Sequence, residues 1–416
     1  MKFISLILLS ILFKNAMAQK MQKDNFIEKI LLSNPVFKTV MANKQNHRIQ
    51  IVYTQINRDA NNIPTFVTHN YNLNHDLYFY PASTAKMPVA ILALQKLNEL
   101  KIKGLNKNTT MHTDSAWEKQ YVVKEDSTSE NFQPSIAHYI KKIMMVSDNE
   151  ANNRLYEFLG QEYINNNLKK MGYTQAQILH RLGVSYSEEV NRHTNPITFL
   201  NKNNKIIYNQ PAKKSYLIYD NRNDLLGKGY IKNDVLINEP FNFSIKNKLN
   251  LDDLNDMLLK VILPEAYPIN KRFNLTKNDY DFLLKYMSQM PTESTFPKYD
   301  TMEFYDAYCK FLMYGSEKVE IPKNIRIFNK VGDAYGFLVD ITYVVDFEKK
   351  IEFALSATIY VNANEIFNDD KYEYETVGFP FMKNLGKAIY DYETTRKRKY
   401  KPNLKKFVIK YDKTKL

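Results

Sequence analysis

Ser83 and Lys86 stand three residues apart in "YFYPASTAKMPVAILALQKL", where an aromatic, extended stretch passes into a segment with helical apolar spacing. On the first turn of a helix such a pair shares one face, so the amine can reach the hydroxyl and make a weak nucleophile reactive. The positive helix end also favours negative charge developing on the serine oxygen. Yet serine is a preferred N-cap and lysine is at home on a solvated face, so the pair alone also describes a plain helix start. Both readings stay open on spacing alone.

Two more short motifs follow in order: "SDN" at Ser147 to Asn149, and "KVG" at Lys330 to Gly332. Each is unremarkable by itself, the first as a polar helix-breaking turn and the second as a strand end. Together with "STAK" they resemble the penicillin-recognising serine hydrolases, whose class A β-lactamases and related peptidases use S-x-x-K, S-D-N and K-[ST]-G. The 64 residues from Ser83 to Ser147 are similar to the class A interval, and the resemblance spans about Arg48 to Glu393. It implies that Ser83 is the nucleophile, that Lys86 is its base, and that Ser147 relays a proton to the leaving nitrogen. It further implies that Asn149 holds the substrate's amide side chain and that Lys330 attracts its carboxylate beside Gly332. The backbone N–H groups of Ser83 and Asp333 would form the oxyanion hole. Lys86 can serve as a base only if desolvation or a neighbouring cation keeps part of it neutral, and Lys330 would be that cation.

The sequence departs from this family at three places. Val331 keeps the shape of threonine without its hydroxyl, at an expected cost of roughly 1.5 to 3 kcal/mol in binding a substrate carboxylate. Asp333 falls on the same strand face as Val331, so its carboxylate is expected to face the substrate's carboxylate and oppose it. The ligand would then differ from ordinary penicillins by lacking that group. Class A enzymes also take a water-activating glutamate from a loop after the second motif. The matching region here, "RLGVSYSEEVNRHTNP", offers Glu188 or Glu189 with Asn191 close behind, at a tighter spacing and with a solvated acidic pair as the alternative. Without a working glutamate the acyl-enzyme would persist, as expected of a penicillin-binding peptidase or sensor.

The elements that must position these groups can be read on either side of them. "HRIQIVYTQINRDANNIPTFVTHNYN" reads as a hairpin with its turn at Asp59 to Pro64. The segment from Ser83 reads as a helix ended by Gly104, and "QPSIAHYIKKIMMV", "EANNRLYEFLG" and "QEYINNNLKKMGY" as three more helices. "IRIFNKVGDAYGFLVDITYVVDFEKKIEFALSATIYVN" reads as three consecutive antiparallel strands, and "FPFMKNLGKAIYDYE" as a closing helix. Strands at both ends with helices between predict an α+β fold: an antiparallel sheet flanked by helices plus a helical lobe. The lobe carries an insertion at about 199–248, read as strands and turns, which stretches the interval from Ser147 to Lys330 to 183 residues.

Composition sets the frame. Lys2, an apolar run to Phe13 and "AMA" before Gln19 read as a secretory signal over 1–18, so the hydrolase domain is expected over 19–395 in a periplasmic or secreted protein, soluble after cleavage. The single Cys309 allows no internal disulfide, and 44% hydrophobic residues supply an ordinary core instead. Most of the formal charge of +13 sits in residues 396–416, a basic tail with ten Lys or Arg against one Asp, read as a solvated end or a weak contact with an anionic envelope surface. No nucleic-acid-reading module, no glycine-rich phosphate loop and no histidine cluster suited to a metal is found, so no cofactor is called for. The expected partner is a small β-lactam or a peptidoglycan-like peptide. A cell-wall D-Ala-D-Ala peptidase or transpeptidase, or a weakly active or inactive binding module on the same fold, are the alternatives.

Overall fold

A computed structural model describes residues 25–413; the signal read at 1–18 and the last three residues lie outside the described residues. The N-terminal hairpin forms as read, with β1 (Gln50–Arg58) and β2 (Pro64–Tyr71). Asp59 closes its turn by accepting hydrogen bonds from the N–H groups of Asn61 and Ile63 at 2.9 and 2.8 Å. The three later strands are β3 (Ile325–Ala334), β4 (Phe337–Asp346) and β5 (Ile351–Tyr360). All pairings are antiparallel, in the order β3-β4-β5-β1-β2, so the chain's two ends meet where β1 lies against β5 with Tyr53 opposite Leu355. That order leaves β3, the strand carrying Lys330, at a sheet edge.

Among the described residues, eight helices of eight residues or more frame the sheet and lobe: α1 (Phe26–Ser33), α2 (Lys86–Leu100), α3 (Ile136–Val146), α4 (Asn149–Leu159), α5 (Gln161–Lys170), α6 (Leu251–Ile262), α7 (Lys277–Ser288) and α8 (Phe379–Thr395). Strand alternation divides the apolar residues between two cores. Ile327, Phe353, Leu355 and Ile359 pack with Ile27 and Leu31 of α1 and with Leu385 and Ile389 of α8. On the other face Phe328, Ile341 and Tyr343 pack with α2, α6 and α7. Each fully buried aliphatic side chain of this kind contributes about 1.5 to 3 kcal/mol.

Helix α2 departs from its expected form. Residues from Lys86 to Gln95 are buried all round, so it runs through the middle of the protein instead of along a surface. It ends at Lys101, which takes a left-handed conformation (φ 52°), before Gly104 is reached. A helix held in the interior gives its first residues a fixed, desolvated setting, which is what a lysine base requires.

The insertion forms short strands, as read, and its residue Phe243 is fully buried. The Phe243 ring lies 5.5 and 6.0 Å from the rings of Tyr78 and Tyr80, just before Ser83, and 5.4 Å from Tyr335 in the β3–β4 turn. It therefore braces both sides of the candidate site. The basic tail, read as a solvated end, is packed: Leu404, Phe407 and Tyr411 are buried, with Phe407 5.2 Å from the ring of Phe328. Arg396 and Lys406 pair with Glu393 and Glu265 at 2.9 and 2.6 Å. These spaced apolar residues supply the core contacts that the surrounding charge masked.

Candidate active site

Ser83 lies in a one-turn 3-10 segment, Ala82–Ala85, that runs directly into α2 at Lys86. The turn is held by Thr84, whose N–H and hydroxyl both donate to Pro81 O, at 3.0 and 2.6 Å. Ala82 has a φ of 46°, a left-handed conformation that costs a residue with a Cβ about 1 kcal/mol or more and is found where the surroundings fix a functional group. Ser83 makes no capping bond, so the plain N-cap reading is not what the fold uses. Ser83 is half-buried.

Strand β3 presses against this turn. A Cβ on Gly332 would stand 2.7 Å from Ser83 N and 2.8 Å from Pro81 O, so only glycine permits the approach. The contact sets the edge strand beside the Ser83 backbone N–H.

Ser147 ends α3 in a left-handed conformation (φ 61°), and Asp148 starts α4 by accepting from the N–H of Ala151 at 2.8 Å. This tight link turns Ser147 and Asn149 toward Lys86. Lys86 Nζ donates to Ser147 O, to Asn149 Oδ1 at 2.7 Å, and to Ser147 Oγ at 3.3 Å. Lys330 Nζ donates to the same Ser147 Oγ at 2.7 Å and to Val331 O at 2.7 Å. Both ammonium groups are buried, Lys86 fully. Burial, and then the nearby Lys330 charge, hold Lys86 well below the usual lysine range. Burial pushes Lys330 down to about 8.

Proton bookkeeping fits a base. A neutral amine keeps two N–H bonds, which the Ser147 carbonyl and Asn149 amide oxygens accept, and its lone pair is then free toward the hydroxyl side. Ser147 Oγ, already accepting from Lys330, is left with its own proton to give.

The expected binding residues divide. Val331 is buried in the core with Ile325, Ile327 and Leu338, so it does not line the site. Asp333 is reached by solvent, and the protein packed around it raises its carboxyl from the usual range while Lys330 and then Lys86 pull it back. It stands in the field of both lysines.

Glu188 and Glu189 are not brought to Ser83. Both lie on a short helix, Glu188–Arg192, and engage in exposed ion pairs: Glu188 with Arg192 at 2.8 Å, Glu189 with Lys214 at 2.6 Å and with His193 at 3.0 Å. The loop meets the site instead at Gly183, in a left-handed conformation (φ 70°), where a Cβ would stand 2.6 Å from Asn149 Nδ2. Asn191 serves the loop itself, its Oδ1 accepting from Arg181 N at 3.0 Å.

Three features escaped the sequence reading. Arg181 clamps the loop from within, donating to Glu157 Oε1 at 2.9 Å, Val190 O at 3.1 Å and His193 O at 2.9 Å. Beneath β3, Asn329 donates to Asp340 Oδ1 at 2.9 Å and accepts from Lys310 Nζ at 2.5 Å, a buried polar network. Gly183 is the third. An aspartate inside the apolar run "FLVDITYVV" was the available signal for the network; the other two depend on contacts distant in sequence.

A family model described as the beta-lactamase enzyme family matches residues 35–392. Among solved structures, a beta-lactamase from Sphaerobacter thermophilus superposes with a TM-score of 0.48 and 10% identity, over 89% of this chain and 97% of its own. A class A beta-lactamase from Clostridium kluyveri gives 0.47 and 14%, over 86% and 98%. No curated protein matches the sequence. Among the described residues no helix is long and apolar enough to cross a membrane.

Proposed function

The chain belongs to the beta-lactamase enzyme family, and on that premise we infer that it is an exported serine hydrolase that forms an acyl-enzyme at Ser83 with an amide or lactam. The observation that carries this reading is the convergence of Lys86 and Lys330 on Ser147 Oγ, at 3.3 and 2.7 Å, directly beside the turn that holds Ser83. Ser83 Oγ attacks the carbonyl carbon and its proton passes to Lys86. The oxyanion is met by the N–H groups of Ser83 and Asp333 at the sheet edge. Ser147 gives its proton to the leaving nitrogen and is resupplied from Lys86. The C–N bond breaks and the acyl group stays on Ser83.

A specific observation favours slow release of that acyl group. The loop offers Gly183 at Asn149, while Glu188 and Glu189 are bound up with Arg192, Lys214 and His193. On this reading neither Glu188 nor Glu189 activates water for the acyl group, and the expected behaviour is that of a penicillin-binding peptidase or sensor more than of a fast β-lactamase. Asp333 disfavours a ligand with a carboxylate beside the scissile bond, so a neutral or cationic group at that position fits better. The test is labelling by a chromogenic cephalosporin followed by peptide mapping. Label on the peptide containing Ser83, absent from Ser83→Ala, supports the reading; label elsewhere, or none with any active acyl donor, refutes it.

A further inference from the structure

Another charged cavity lies along the same helix. Lys96 follows Lys86 by ten residues on α2, about 15 Å along the helix axis. There α2, the start of α5 and the segment Gln210 to Ser215 enclose about 180 Å³, lined by Lys96, Arg192, Lys213 and Lys214. Two of these cations are already matched, Arg192 by Glu188 and Lys214 by Glu189. Lys96 and Lys213 have no ion pair among the described residues. Lys96 Nζ is held only by neutral acceptors, Phe158 O and Gln210 Oε1, and lies 4.2 Å from the centre of the Phe158 ring. Burial, and then the Lys213 charge, push it down to about 7. Glu99 offsets this in part without forming an ion pair with Lys96, and a cation so withdrawn from water is stabilised by a counter-ion in direct contact.

The backbone adds an independent set of donors. Helix α5 starts after Gly160 with no side-chain cap, so the N–H groups of Gln161, Glu162 and Tyr163 lack intrahelical acceptors, and all three residues line the cavity. The acid in the lining, Glu162, is turned to Tyr216 N, from which it accepts at 2.8 Å.

We propose that this cavity binds a small oxyanion of the phosphate or sulfate class, held by Lys96, Lys213 and the first N–H groups of α5. Ligands of this kind are matched by converging cations and a helix N-terminus together. The bound ion ties the helix carrying Lys86 to the insertion and to Arg192 and Thr194 of the loop, which also line the cavity.

Calorimetric titration of the full chain with sulfate, at ionic strength held constant with chloride, tests the site. Saturable binding is expected, weakened about tenfold or more in Lys96→Met and in Lys213→Ala, and retained in Lys330→Met. Lys213 is exposed, so its variant tests the site even where Lys96→Met disturbs folding. Absence of saturable binding overturns the proposal. So does unchanged binding in Lys213→Ala, or loss in Lys330→Met alone, which would locate the ion beside Ser83.

Discussion

Lys330 donates a 2.7 Å hydrogen bond to Ser147 Oγ, linking two motifs 183 residues apart. With Lys86 donating to the same oxygen, two buried ammonium groups share one hydroxyl, and each disfavours the charge of the other. The pair is costly to bury, and under the proposed function it keeps Lys86 available as a base. Removing the Lys330 charge in Lys330→Met raises the Lys86 pKa. The ascending limb of the acylation rate then moves to higher pH, and the neutral-pH rate falls about a hundredfold or more. Stopped-flow acylation across neutral pH measures this, and an unmoved limb would contradict it.

The same burial makes stability depend on pH. Lys330 sits at about 8 in the fold against 10.5 as a free side chain. Between those values the unfolded chain binds more protons, so stability rises with pH through the window, by up to about 1.4 kcal/mol per pH unit for this group. Urea unfolding at a series of pH values should show the rise, and Lys330→Met should flatten it. A slope identical in the variant would assign the effect to other groups.

Gly183 holds the loop against Asn149. In Gly183→Ala the left-handed backbone and a Cβ 2.6 Å from Asn149 Nδ2 both work against the native arrangement. Thermal unfolding should show a loss of about 1 to 2 kcal/mol, and acylation should slow because Asn149 positions Lys86 Nζ. Full stability and full acylation in this variant would show that the contact is slack.

Asp333 should decide which acyl donors are accepted. In Asp333→Thr the rate of acylation by benzylpenicillin should rise about tenfold or more, while that by a neutral active ester stays within about twofold. Equal changes for both reagents would mean that Asp333 acts on the backbone and not on the ligand's charge.

Much of this site was legible in the sequence because its parts are local. "STAK", "SDN" and "KVG" are short local motifs, and the hairpin and the three final strands show plain alternation, so an antiparallel sheet built from both ends of the chain was legible, though not its strand order. Other parts depended on what could not be weighed from motifs alone. Glu188 and Glu189 were offered for their place after the second motif, with a solvated acidic pair as the alternative, and their ion pairs with Arg192 and His193, four residues on from each, match that alternative. Gly183 carries no side chain to draw notice, and its role comes from meeting Asn149. The tail's Leu404, Phe407 and Tyr411 were hidden among ten cations, and Val331 was assigned to the pocket by homology of motif although its strand face leads into the core.

Under the proposed function an acyl group at Ser83 is released slowly. Intact-mass spectrometry followed over time, after prolonged labelling and removal of excess chromogenic cephalosporin, measures that release. A stoichiometric adduct is expected that persists over many minutes, is absent in Ser83→Ala, and has the same lifetime when Glu188 and Glu189 are both changed to Gln. Rapid loss of the adduct that depends on either glutamate, or an adduct that survives Ser83→Ala, would contradict it.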